Sequence, residues 1–171
     1  MSPTPRPLGI AVLTLSDTRG LADDRSGDVL EEGFRAAGHT LVERSVLRED
    51  TWSVRAQLCT WIADPRIEVI VTTGGTGVTG RDRTPEIVTP LFDRPIDGFG
   101  ELFRQLSFTE IGASTIQSRA TAGICGTTFL FCLPGSTGAC RLGMNALLLP
   151  QLDVRTKPCN FTQLIERMGT E

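Results

Sequence analysis

The 171-residue chain predicts an α/β fold with a mostly parallel sheet, and two observations carry that prediction. Continuous apolar runs at Leu8–Leu15, Ile67–Thr73 and Thr128–Leu133 have the pattern of strands buried on both faces. Stretches of helical spacing alternate with the strands in a β-α-β-α-β-α order. Right-handed crossovers convert that order into parallel strands with helices on both sides of the sheet.

Each element has its own signal. The first strand, Leu8–Leu15, ends in the polar loop Ser16-Asp17-Thr18-Arg19-Gly20. Leu30, Gly33, Phe34 and Ala37 then fall on one helical stripe, and Gly38 stops that helix. Thr40–Leu47 alternates as a second strand, and a helix opening near Thr51 turns Val54, Leu58, Trp61 and Ile62 inward. The third strand runs into Gly74-Gly75-Thr76-Gly77 and a helix start at Thr84-Pro85-Glu86. There Thr84 is the expected cap and Pro85 the expected first residue. Phe99, Leu102, Phe103 and Leu106 form a short amphipathic helix. Gly126-Thr127 reads as a hairpin turn, and the last strand, Thr128–Leu133, enters Pro134-Gly135-Ser136. A helix follows with Ala139, Leu142, Ala146 and Leu149 inward. Ser114–Arg119 and Thr121–Cys125 give no clear signal. With neither repeat nor linker, residues 1–171 are expected to form a single domain.

Composition removes several function classes. The net charge is −3 with no basic block, which argues against a nucleic-acid partner. No stretch approaches the ~20 apolar residues of a membrane span, and the N-terminus lacks a signal-peptide core, so a cytoplasmic location is expected. The five cysteines show no CxxC spacing; Cys59, Cys125 and Cys132 are expected as buried free thiols. With His39 as the only histidine, Ser-His catalysis and a histidine metal cluster are disfavoured.

The chemistry gathers at one sheet edge. In a parallel sheet every strand-to-helix loop leaves from the carboxyl ends, where ligands bind. Ser16 and Asp17, Asp50, Gly74–Asp82, and Gly135-Ser136 should therefore converge. A glycine-rich loop between strand and helix can bare its amides to a phosphate, and it is equally an ordinary turn. Asp50 and Asp82 are candidate magnesium ligands, Arg81 and Arg83 candidate phosphate partners. Asp50 and Ser136 are also natural helix caps. The set suits phosphoryl or nucleotidyl transfer, in which positioning and charge stabilisation do the catalysis.

On TTGGTGVTGRDRTPE, GFGELFRQLSFTEIGASTIQSRA, FLFCLPGSTGACR, the early LTLSDTR and the late PQLDVRTKPCNF, the chain resembles the MoaB/Mog family of molybdenum cofactor biosynthesis proteins, and the MoaB branch in particular. The resemblance implies a three-layer α/β/α sandwich forming trimers or hexamers. It implies transfer of AMP from ATP to molybdopterin with Mg2+ required, Asp82 as the essential acidic residue and Asp50 as its partner. Gly74, Gly75, Thr76, Gly77 and Arg81 would border the pterin or phosphate, and Ser16 and Asp17 the nucleotide. Pro134, Gly135 and Ser136 match the family's pterin-side loop, but Thr137 stands where a second proline is usual. A non-catalytic pterin-binding paralogue is therefore the alternative. An assembly through the region of Phe99, Phe103 and Phe108 is expected.

Overall fold

The computed structural model describes residues 4–169. Its centre is a six-stranded sheet in the order β2-β1-β3-β6-β5-β4. The strands are β1 (Gly9–Leu15), β2 (Thr40–Leu47), β3 (Val69–Thr73), β4 (Arg94–Pro95), β5 (Thr121–Cys125) and β6 (Thr128–Leu133). β1, β2, β3 and β6 run parallel, while β5 pairs antiparallel with both β6 and β4. All residues of β1, β3 and β6 are buried, which explains why they are continuous apolar runs.

The helices are α1 (Arg25–Ala36), α2 (Thr51–Ile62), α3 (Thr84–Val88), α4 (Asp97–Ile111), α5 (Thr137–Gly143), α6 (Leu149–Gln151) and α7 (Phe161–Met168). Alternate residues of the strands feed two cores. Ile10, Val12, Val69, Val71, Phe129 and Phe131 meet α1, α4 and α5 on one face. Ala11, Leu13, Ile70, Leu130 and Cys132 meet Val54, Leu58 and Trp61 of α2 and Ile87 of α3 on the other. The three-layer arrangement is as the sequence predicts. It also sets a switch point: α1 and α3 leave the neighbouring strands β1 and β3 for opposite faces, which opens a crevice at the carboxyl ends of β1 and β3.

Several local expectations are corrected. The amphipathic helix around Phe103 is not short: α4 runs 15 residues. Thr84 is the first residue of α3 rather than its cap, because its hydroxyl is turned back to Gly74 O at 2.8 Å. Residues Met144–Leu148 form one wide i→i+5 turn between α5 and α6. Of the residues expected inward here, Ala139, Leu142 and Leu149 pack partly buried against the core, Ala146 is exposed, and the fully buried stripe is Cys140, Gly143, Met144, Leu147 and Leu148. Cys59 lies on the outer face of α2 and is exposed, whereas Cys140 is buried. Phe99 and Phe103 belong to the core and only Phe108 of that trio is exposed.

Candidate active site

A cleft of about 460 Å³ opens at the carboxyl ends of β1, β3 and β6. Thr14 and Ser16 line it from β1, Thr73 to Gly77 and Asp82 from β3, and Pro134, Gly135 and Ser136 from β6. Ser107, Thr115 and Ser118 close the side made by α4 and the segment after it.

The glycines meet steric demands. Gly74 has φ +108° and Gly75 φ +64°, values that side chains rarely adopt. A Cβ on Gly74 would lie 2.3 Å from Leu15 O, so only glycine lets β3 leave the sheet this close to β1. A Cβ on Gly135 would lie 3.2 Å from Gly74 Cα, which shows how tightly the β3 and β6 loops meet. Hydroxyls tie the loops together. Thr73 Oγ1 donates to Pro134 O at 2.9 Å, and Ser26 Oγ of α1 donates to Gly135 O at 2.9 Å.

Beneath the β1 side lies a buried ionic network. Asp24 is fully buried at the start of α1. It accepts from Thr14 Oγ1 at 2.7 Å, Gly27 N at 2.9 Å and Arg44 Nη2 at 2.9 Å. Arg44 also pairs with Asp28 and Glu31, both at 2.8 Å. The network fixes Thr14, whose residue faces the cleft, to α1 and β2.

Asp82 is half-buried at the end of the glycine-rich loop. Its Oδ2 accepts from Thr79 Oγ1 at 2.6 Å and from Thr79 N at 2.9 Å. The Thr79 hydroxyl, then the Thr79 and Gly77 amides and the charge of Arg119, hold its carboxyl below the ordinary range, so it is ionised at neutral pH.

Asp50 does not line this cleft. It is exposed and caps α2, accepting from Ser53 N at 2.8 Å, a bond that lowers its carboxyl. Its neighbour Glu49 reaches the glycine corner instead, accepting from Arg83 N at 2.5 Å and Thr84 Oγ1 at 3.2 Å. Asp17 and Arg81 pair with each other at 2.5 Å outside the cleft lining. Ser16, Gly74, Gly75, Thr76, Gly77, Asp82, Pro134, Gly135 and Ser136 are thus brought together, while Asp50, Asp17 and Arg81 are not. Sequence reasoning missed Thr14, Arg19, Glu49, Ser107 and Thr115. For Glu49 adjacency to the chosen Asp50 was a usable signal, and for Arg19 its place in the loop with Ser16; Ser107 and Thr115 lay in the matching stretch 98–120 with nothing to single them out.

Among the described residues no group of three or more His, Cys, Asp or Glu is placed to hold a metal ion. Magnesium does not require such a group, since it is held by one or two carboxylates together with substrate phosphates. An ionised Asp82 in an open cleft fits that donor set.

The comparisons with known proteins agree with the geometry. Residues 11–154 match the family described as "Probable molybdopterin binding domain". The chain belongs to this family, within the MoaB/Mog group of molybdenum cofactor biosynthesis proteins. It is 50% identical over 155 residues to the protein named molybdenum cofactor biosynthesis protein B of Escherichia coli strain K12, covering 91% of each chain. A crystal structure described as molybdenum cofactor biosynthesis protein B superposes with a TM-score of 0.89 at 36% identity, covering 99% of this chain and 100% of that one. The tungsten cofactor synthesizing protein MoaB from Pyrococcus furiosus gives 0.76 at 36% identity, covering 85% and 92%.

Proposed function

We propose that this chain acts in molybdenum cofactor biosynthesis as a Mg2+-dependent adenylyltransferase that moves AMP from ATP to the terminal phosphate of molybdopterin. The observation that carries the proposal is the ionised Asp82 at the lip of a glycine-lined cleft. In the transfer, a pterin phosphate oxygen bonds to the α-phosphorus of ATP. The bridging bond to the β-phosphate breaks, and pyrophosphate leaves with the electron pair.

This chemistry suits the residues present. The second pKa of a phosphate monoester is ~6, so the nucleophile is already ionised at neutral pH and needs no general base. A cleft without histidine is therefore adequate; His39 is spent on Leu8 N, at 3.2 Å. The Gly75 and Thr76 amides, the Ser16 and Ser136 hydroxyls and Arg19 would hold and orient phosphate oxygens, the Gly74 amide being spent on Leu133 O and that of Gly77 on Asp82. Asp82, together with the substrate phosphates, would hold magnesium, which supplies neutralisation of the phosphate charge when bound. Such preorganised charge is usually the largest single contribution to catalysis.

One observation favours a second reading, a pterin-binding protein without turnover: Asp50 lies off the cleft, occupied in capping α2. Incubation of purified protein with molybdopterin, ATP and magnesium separates the two. Adenylylated pterin and pyrophosphate should accumulate, and Asp82→Ala should reduce the rate by roughly 10²–10³-fold, the scale of losing a central electrostatic group. Pterin binding with no product from the wild-type chain would establish the second reading instead.

The proposal includes a cytoplasmic location and a trimer-based assembly. Leu102, Phe108 and Ile111 of α4 and the neighbouring Ile116 are all exposed, and a trimer would cover such a patch. No helix among the described residues is long and apolar enough to cross a membrane.

A further inference from the structure

The loop that carries Asp82 is gripped from outside the cleft by one side chain. Arg119 follows the short helical run Gly112–Gln117 and passes behind the glycine loop. Its backbone N–H donates to Thr76 O at 2.9 Å. Its guanidinium then spreads over three acceptors: Nε donates to Gly77 O at 2.7 Å, Nη2 to Asp82 O at 2.5 Å, and Nη1 pairs with Glu86 in the first turn of α3. Arg119 is absent from the cleft lining and sits in a shallow outer depression with Val78, Thr79 and Gly80.

We infer that Arg119 is a positioning residue: it staples both ends of the Gly77–Asp82 loop to α3 and so fixes the direction of the Asp82 carboxylate. The inference rests on the reading of Asp82 as the acidic residue of the transfer. Inside the loop, Thr79 and Asp82 are bonded to each other, through Asp82 N to Thr79 O at 3.1 Å and the Thr79 bonds to Oδ2. That internal turn survives loss of Arg119 and is then tied to the rest of the protein by the exposed Arg81–Asp17 pair at 2.5 Å, a bond worth about 0–1 kcal/mol. It would swing as a body about Gly77. A planar guanidinium satisfies three divergent acceptors at once, which the single ammonium of lysine cannot. The phosphate and pterin contacts proposed for Gly75 and Gly135 would lie outside the swinging segment, so chemistry is affected more than binding.

The test combines hydrogen-exchange mass spectrometry of the Thr76–Arg83 segment with adenylylation kinetics, on the wild type, Arg119→Ala, Arg119→Lys and Glu86→Gln. In Arg119→Ala the segment should exchange at least about tenfold faster while the β1 and β3 amides keep their protection. Its kcat should fall by about 10²-fold, the scale of a 1 Å misplacement, with KM for the pterin changed less than about threefold. Millimolar ethylguanidinium should restore part of the lost kcat in Arg119→Ala and none in Asp82→Ala. Arg119→Lys should resemble Arg119→Ala. Glu86→Gln should show a smaller rise in exchange, and it carries the test if Arg119→Ala fails to fold. Unchanged exchange in folded Arg119→Ala would overturn the clamp. Faster exchange with unchanged kcat would overturn the positioning role. An inactive wild type would overturn the proposed function and leave the clamp to be decided by exchange alone.

Discussion

Replacing Asp24 with alanine should be among the most damaging single changes outside the cleft, and its cost follows from three bonds. The first is the cap of α1 through Gly27 N, typically worth ~1 kcal/mol. The second is the Thr14 hydroxyl, on a residue only 4% exposed, which would lose its acceptor at a cost of about 1–3 kcal/mol. The third is one charge-assisted bond to Arg44, worth roughly 1.5 kcal/mol. Arg44 keeps Asp28, Glu31 and the Asp24 carbonyl, so its charge is not orphaned. The sum is about 3.5–5.5 kcal/mol. At ~2–4 °C per kcal/mol for a domain of this size, Tm should fall by roughly 10 °C. Urea unfolding followed by circular dichroism at fixed protein concentration measures this directly, with Asp28→Ala as the control. The Asp28 side chain is 52% exposed, so losing its pair should cost under ~1 kcal/mol. A loss below about 1.5 kcal/mol for Asp24→Ala, or equal losses for both variants, would refute the assignment of Asp24 as the centre of the network.

Other outcomes follow from the same coordinates. Gly74→Ala, at φ +108° with its Cβ against Leu15 O, should cost about 2 kcal/mol or more and deform the cleft, seen as a lower urea midpoint and weaker pterin binding. In thiol titration of the native protein, Cys59 and Cys159 should react within minutes. Cys125, Cys132 and Cys140 should wait for unfolding, because burial pushes the first two up to about 12 and raises the third. Asp82 and Glu86 both titrate below their ordinary values, Glu86 chiefly through Arg119. Their contribution to stability is thus complete above the unfolded carboxylate pKa of ~4 and is lost as pH falls through the folded values. Urea midpoints should be flat from pH 7 to about 5 and drop below about 4, less steeply in Arg119→Ala; a midpoint that rises on acidification would contradict the pairing.

The sheet was legible because burial writes itself directly into sequence. Strands covered on both faces must be apolar throughout, and β1, β3 and β6 could be read almost to the residue. The glycine loop was legible because Gly74 and Gly75 stand where backbone geometry admits nothing else. What stayed hidden depends on non-local facts. The two residues of β4 form a strand only through their register with Ile124 and Gly123. Ser107 and Thr115 face the cleft because α4 is longer than its apolar stripe suggests. Asp50 and Glu49 are adjacent carboxylates, and only the path of the chain after Leu47 decides which one caps a helix and which one reaches the Gly75 corner. The stripe of α5 was read one residue out of phase: Cys140, Gly143, Met144, Leu147 and Leu148 keep helical spacing through the wide turn, and the leucines and alanines beside them carried a competing apolar pattern.

That same turn makes two distant positions answerable to each other. It brings Met144 over α1, where a Cβ on Gly33 would fall 1.9 Å from the Met144 sulfur. Gly33 is thus a socket and Met144 its plug, the flexible thioether filling the space a methyl would otherwise take. A chain that enlarges residue 33 keeps this contact by swinging the Met144 side chain aside or by trimming residue 144 in step. Gly33→Ala and Met144→Ala should therefore be more tolerable together than their separate costs would suggest.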